Sequence, residues 1–158
     1  GSLIGLYLYR RKFKFKPLLW IIDRVIIPVS IGASFVRIGN FFNSEIVGKY
    51  SGSNFGVVFL NRGENAARHP AQLYEALGYL VLFFILKQVY KTNKKDKPGY
   101  LLGVFFTCMF VIRFFVEYLK ESQGGFEEYL PLLSTGQWLS IPFILLGLFL
   151  MLRKTNNQ

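Results

Sequence analysis

Apolar and polar positions in this chain are separated segment by segment rather than turn by turn. Four apolar runs, at about 17–36, 70–90, 99–119 and 136–152, have the roughly 17 to 25 residues that a helix needs to cross a bilayer. A fifth, Leu3 to Tyr9, is too short to cross and reads as the last turns of a helix whose beginning is missing. Pro70 opens the second run, a position suited to a first helical turn. Between the first two runs, Arg37 to Arg68 is rich in Gly, Asn and Ser without a period, which predicts an ordered loop with short elements. Its segment Phe55 to Leu60 fits either a short strand or an interfacial turn. The loop from Lys120 to Thr135 is acidic and contains Gly and Pro. The expected fold is all-α. It is a polytopic helical membrane protein with four transmembrane helices, the end of a truncated one and an external polar loop region. The chain reads as a single integral membrane domain over 1–158, with no internal repeat and no low-complexity segment.

Composition agrees with the pattern. A hydrophobic content of 52% is high for a soluble domain, and the mean hydropathy is positive despite a net charge of +10. Such a charge could mean nucleic acid, but the basic residues alternate with long apolar runs and form no single face, so no nucleic-acid partner is expected. Cys108 lies inside an apolar run and is the one cysteine, which leaves no intrachain disulfide and no thiolate metal cluster. Of the 19 Lys and Arg, 12 fall within 10–16, 87–97 and 153–154. These three segments share one side if each apolar run crosses once, and the positive-inside rule makes that side the cytoplasm. The 37–68 stretch and the 120–135 loop then lie outside, with the C-terminus cytoplasmic.

Three polar clusters fall at the outer ends of the spans. The first is Arg37, Asn40, Asn43 and Glu45, punctuated by Gly39 and Gly48. The second is Arg68 to Glu75, where Gln72 and Glu75 share a helix face with Tyr74 beside them. The third is Arg113 and Glu117, four apart and able to pair along a helix. Charged groups at membrane depth are costly and face a cavity, a partner or a substrate. His69 fits equally a helix-start hydrogen-bonder or a substrate contact. No second His or Cys stands at metal-ligand spacing, so no metal is expected, and no glycine-rich nucleotide loop is present. What remains is a set of arginines able to bind phosphate oxygens bidentately, with carboxylates and amides beside them. In a bilayer the natural phosphate-bearing ligand is a phospholipid head group.

The stretch Arg37-Ile-Gly-Asn-Phe-Phe-Asn-Ser-Glu45-Ile-Val-Gly48 resembles the signature of the bacterial prolipoprotein diacylglyceryl transferase family, Gly-Arg-x-Gly-Asn-Phe-x-Asn-x-Glu followed by Gly. Three more blocks resemble that family in the same order: Arg68-His-Pro-Ala-Gln-Leu-Tyr-Glu75, Arg113-Phe-Phe-Val-Glu117-Tyr-Leu-Lys-Glu121 and Gly136-Gln-Trp-Leu-Ser-Ile-Pro142. The resemblance implies transfer of the diacylglyceryl group of phosphatidylglycerol to the lipobox cysteine thiol of a lipoprotein precursor, with release of glycerol phosphate. It implies catalytic roles for Arg37, Arg113 and Glu117. Arg37, Asn40, Asn43, Glu45, Gly48, His69, Gln72, Tyr74 and Glu75 would contact substrate. No cofactor is implied, and the setting would be the bacterial inner membrane, with the active site toward the outer leaflet.

Three departures accompany the match. The family's His-Gly-Gly motif would lie just before Leu3, where Gly1-Ser2 stands. Met109 replaces a tyrosine, and Val36 replaces the Gly before the signature arginine. The chain is therefore expected to be the C-terminal part of a seven-span enzyme. The competing expectation is a non-enzymatic phospholipid-binding membrane protein or a transporter fragment. Transporters commonly carry repeats or interrupted helices, and no repeat is evident.

Overall fold

The computed structural model describes residues 2–12, 17–52, 55–121 and 133–153. Five α-helices account for most of them: α1 Ser2–Lys12, α2 Leu18–Phe42, α3 Ala71–Tyr90, α4 Tyr100–Glu117 and α5 Thr135–Leu152. Short 3₁₀ turns occupy Leu60–Arg62 and Asn93–Asp96. Helices α2 to α5 are each long and apolar enough to cross a membrane, as the four apolar runs predict. No strand occurs among the described residues. Val57, in the ambiguous 55–60 segment, makes only an isolated bridge to Arg68. Most of the acidic 120–135 loop lies outside the described residues.

Helix α2 departs from expectation in a way that matters for the site. It does not stop at Val36 but continues through the signature to Phe42. Arg37 and Asn40 therefore sit on rigid helix rather than in a loop. At 25 residues the helix is about 37 Å long, enough to cross and carry its polar last turns beyond the apolar core.

The helices alternate in direction, so the C-terminal ends of α2 and α4 and the N-terminal ends of α3 and α5 meet at one end of the bundle. Its centre is built from Ile26, Leu82, Leu86, Leu101, Val104 and Phe105. Helices α4 and α5 cross closely through small residues, a device suited to membranes because backbones can approach without bulky side chains between them. A methyl group on Gly103 would stand 2.7 Å from the Gly147 carbonyl oxygen. Phe110 and Phe143 stack across the same interface at 4.4 Å. Outward faces carry Val29, Phe35, Leu77, Val81, Phe84, Leu145 and Phe149 exposed, as lipid contact requires.

The opposite end of the bundle is closed by charges with structural work. The fully buried Asp23 carboxylate accepts from the Gly99 N–H at 2.6 Å and the Leu102 N–H at 2.8 Å. It thereby caps α4 from another helix, where a negative charge meets the unsatisfied N–H groups and the positive end of the helix dipole. Arg24 stacks on the Trp20 ring at 3.5 Å and donates to the Lys95 carbonyl at 3.3 Å. Lys97 Nζ donates to the Met151 carbonyl at 2.7 Å, and Arg153 donates to the Pro98 carbonyl. A cavity of about 550 Å³ lined by Tyr9, Trp20, Arg24 and Tyr90 belongs to this end, remote from the signature residues.

Candidate functional site

The polar end is organised on Glu75. Helix α3 starts at Ala71, directly after Pro70, and turns Gln72 and Glu75 inward; both are completely buried. Glu75 Oε2 lies 2.9 Å from Arg37 Nε of α2, and Glu75 Oε1 accepts from Lys120 Nζ at 2.8 Å. Lys120 in turn stands 3.4 Å from Glu117 Oε2. One carboxylate thus joins a cation from α2 to a buried cation just past α4. Turned so that its amide oxygen meets a donor, Asn40 accepts from Arg37 Nη1 at 3.2 Å. Glu75 and Asn40 together fix the plane of the Arg37 guanidinium.

Arg113 does not pair with Glu117. Among the described residues it has neither an ion pair nor a hydrogen bond, and Glu117 is engaged by Lys120 instead. Four residues on one helix bring two side chains within reach, but a third charge from the next turn wins the contact. The buried Tyr79 hydroxyl of α3 lies in the electrostatic field of Glu75, Arg37 and Arg113. Three cations, Arg37, Arg113 and Lys120, face two carboxylates, Glu75 and Glu117, so the cluster carries one positive charge in excess. Glu117 is seated against α5. A methyl group on Gly136 would lie 2.4 Å from its carboxyl carbon, so only glycine admits the carboxylate there. Gln137 completes a capping box with Ser134 and donates to the Phe114 carbonyl at 3.2 Å, tying the start of α5 to α4.

The loop after α2 is clamped over this cluster. Ser44 and Ile46 take positive φ of 56° and 53°. For a β-branched residue such as Ile46 that conformation is strained. The strained turn aims the Glu45 carbonyl at Gln72 Nε2, 2.6 Å away, and lets the Glu45 N–H bond the Asn40 carbonyl at 2.9 Å. Gly48 then runs between two backbones, donating to the His69 carbonyl at 3.1 Å; a Cβ there would lie 2.3 Å from that oxygen. Lys49 N–H bonds the Leu119 carbonyl at 2.7 Å. Arg68 locks the loop. It is almost fully buried, is held by Glu64 at 2.5 and 3.0 Å, donates to the Gly48 carbonyl at 3.0 Å, and lies over the Tyr50 ring. That pairing holds the Glu64 carboxyl below the usual carboxylate range and raises Arg68 further.

The sequence-predicted residues divide accordingly. Arg37, Asn40, Gln72, Glu75, Arg113 and Glu117 converge on the polar end of the bundle. Gly48, His69 and Tyr74 hold the loop, with His69 Nδ1 at 3.4 Å from the Tyr74 hydroxyl. Asn43 and Glu45 are exposed, and it is the Glu45 backbone that the site uses. Lys120 and Tyr79 are additions. Lys120 was legible as a charge three residues past Glu117. Tyr79 was legible as the continuation of the Gln72–Glu75 face, seven residues after Gln72.

The prolipoprotein diacylglyceryl transferase family model matches residues 1–153. The chain is 43% identical over 158 residues to the phosphatidylglycerol–prolipoprotein diacylglyceryl transferase of Tolumonas auensis, covering all of this chain and 60% of that one. The protein of the same name from Bacteroides fragilis is 43% identical over 152 residues, covering 96% of this chain and 54% of its own. That of Chlamydia trachomatis is 40% identical over 141 residues, covering 89% and 52%. The chain thus spans between about half and three fifths of the length of these relatives.

Proposed function

Since this chain belongs to the prolipoprotein diacylglyceryl transferase family, we propose that its polar cluster binds the phosphate of phosphatidylglycerol and stabilises glycerol phosphate as it leaves. The acceptor is the lipobox cysteine thiol of a lipoprotein precursor. In that reaction a carbon–sulfur bond forms and the carbon–oxygen bond between diacylglyceryl and phosphate breaks. The bonding pair goes to the phosphate oxygen, and the thiol proton passes to solvent as the sulfur attacks.

One observation carries the reading: an oriented Arg37 and an unpaired Arg113 in a cluster with one positive charge in excess. A phosphodiester brings one negative charge and balances that excess. As the bond breaks, the leaving phosphate gains a second negative charge. The fixed cations then hold the transition state more strongly than the bound lipid, which is what accelerates a reaction. Asn40 and Glu75 keep Arg37 in place, while Lys120 engages Glu117 and so leaves Arg113 unpaired.

The test joins this chain to the N-terminal portion of a relative and supplies phosphatidylglycerol labelled in the diacylglyceryl group with a lipobox peptide. Label should move to the peptide thiol with equal release of glycerol phosphate. Lipid retention without transfer would leave only the non-enzymatic binding role. In the same chimera Gly136→Ala should lower transfer about tenfold or more, because the added methyl displaces the Glu117 carboxylate from its seat. Thermal stability should change little, since a flexible side chain rather than backbone must move. Unaltered transfer would remove Glu117 from the machinery.

The membrane setting follows the charge distribution. The 91–97 turn and the C-terminus face the cytoplasm, and the site opens to the outer leaflet of the bacterial inner membrane. On a Cys108→Ala background, an impermeant thiol reagent applied to intact cells should label Asn65→Cys and spare Lys94→Cys. The reverse pattern inverts the topology.

A further inference from the structure

Helix α3 carries a polar stripe that continues past the residues used so far. Gln72, Glu75 and Tyr79 are spaced three and then four apart, so they share one face of the helix. Tyr79 lies about 10 Å along the axis from Gln72, deep among apolar residues. It is 1% exposed, and its hydroxyl has no hydrogen-bond partner among the described residues. On the same helix face Glu75 meets Arg37 at 2.9 Å, and the charges of Glu75, Arg37 and Arg113 all act on the hydroxyl. Native proteins rarely leave buried polar atoms unpaired, and each such atom costs free energy until something satisfies it. A buried hydroxyl donor without an acceptor, beside an excess positive charge, marks the place of an anionic ligand.

We propose that the Tyr79 hydroxyl is a third donor to the phosphate bound by Arg37 and Arg113, a substrate contact outside the four family-like blocks. The inference rests on the phospholipid reading above and adds a residue to it. The hydroxyl makes no hydrogen bond among the described residues, so its hydrogen is free for the oxygen that the guanidiniums also bind. It fixes the depth at which the phosphate stops, which the two guanidiniums alone leave open.

The test uses Tyr79→Phe, which keeps the ring and removes only the hydroxyl, beside Arg37→Ala and Arg113→Ala, in the detergent-solubilised chain. Affinity is measured for short-chain phosphatidylglycerol, for glycerol phosphate and for a diacylglycerol that lacks phosphate. Tyr79→Phe should weaken binding of both phosphate-bearing probes by about tenfold or more and leave the diacylglycerol unchanged. It should not lower Tm, because a hydroxyl without a partner contributes no stabilising bond. Weakened phosphatidylglycerol and diacylglycerol with unchanged glycerol phosphate would place the hydroxyl on an acyl ester and overturn the proposal. A lower Tm with unchanged affinity would make Tyr79 structural, and unchanged affinity and Tm would make its hydroxyl idle; both overturn it. If Arg37→Ala and Arg113→Ala also bind both phosphate probes like the unaltered chain, the phospholipid reading itself falls, and this inference with it.

Discussion

Replacing Arg37 by lysine should abolish most transfer, by about 100-fold or more, even though the charge is retained. The guanidinium has three edges and the site uses them separately. Nε meets Glu75 at 2.9 Å and Nη1 meets Asn40 at 3.2 Å, which leaves the remaining edge of the fork for phosphate. A lysine ammonium is a single point on a flexible stem, and once paired with Glu75 it presents no planar face to a ligand. The loss should appear mainly in kcat, because in the proposed role the arginine acts most strongly on charge that develops as glycerol phosphate departs. Arg37→Ala should lose at least as much. An arginine that only reached for the membrane surface would accept lysine freely, since lysine snorkels as well. The chimera assay decides, and near-normal turnover by Arg37→Lys would end the phosphate-clamp role.

The largest effect on stability should come from Glu75→Gln. Glu75 is completely buried between Arg37 and Lys120, whose side chains are 14% and 5% exposed. Neutralising it leaves two largely buried cations near each other, and losing one member of such a pair costs about 3–5 kcal/mol. The variant should melt well below the unaltered chain in detergent and carry no transfer activity. Removing the lysine as well, in Glu75→Gln with Lys120→Met, should restore much of the stability, because an apolar replacement of a buried charge is often neutral or favourable. Activity should stay lost, since Arg37 remains without its anchor. Additive stability losses in the double variant would show that the two side chains do not interact.

By itself the sequence determined the membrane architecture. Each crossing segment depends on its own length and apolarity, because the bilayer supplies the same solvent to every helix and no distant residue has to be known. The motif residues and their order were also legible in the chain, and they led to the family. The inward face of α3 followed from helical spacing alone.

Tertiary structure decided which charge meets which. Glu75 binds Arg37, 38 positions earlier, and Lys120, 45 positions later. Such choices turn on ångström differences in how helices pack, which periodicity does not record. Spacing allowed Arg113 and Glu117 to pair. Lys120 instead took Glu117, and Arg113 was left free among the described residues. The polar composition of 37–42 suggested a loop, yet the helix continues. Its backbone hydrogen bonds persist while Arg37 and Asn40 turn to the bundle, where buried partners replace water. Glu45 contributes through its backbone because strained neighbours fix its carbonyl. Asp23 caps a helix 76 residues away. Each is a pairing between buried polar groups of different segments, and the reason is common to all. Hydrophobic burial depends on amount and so shows locally, whereas a buried charge must find a specific partner at hydrogen-bond distance, and only the packed fold says where that partner is.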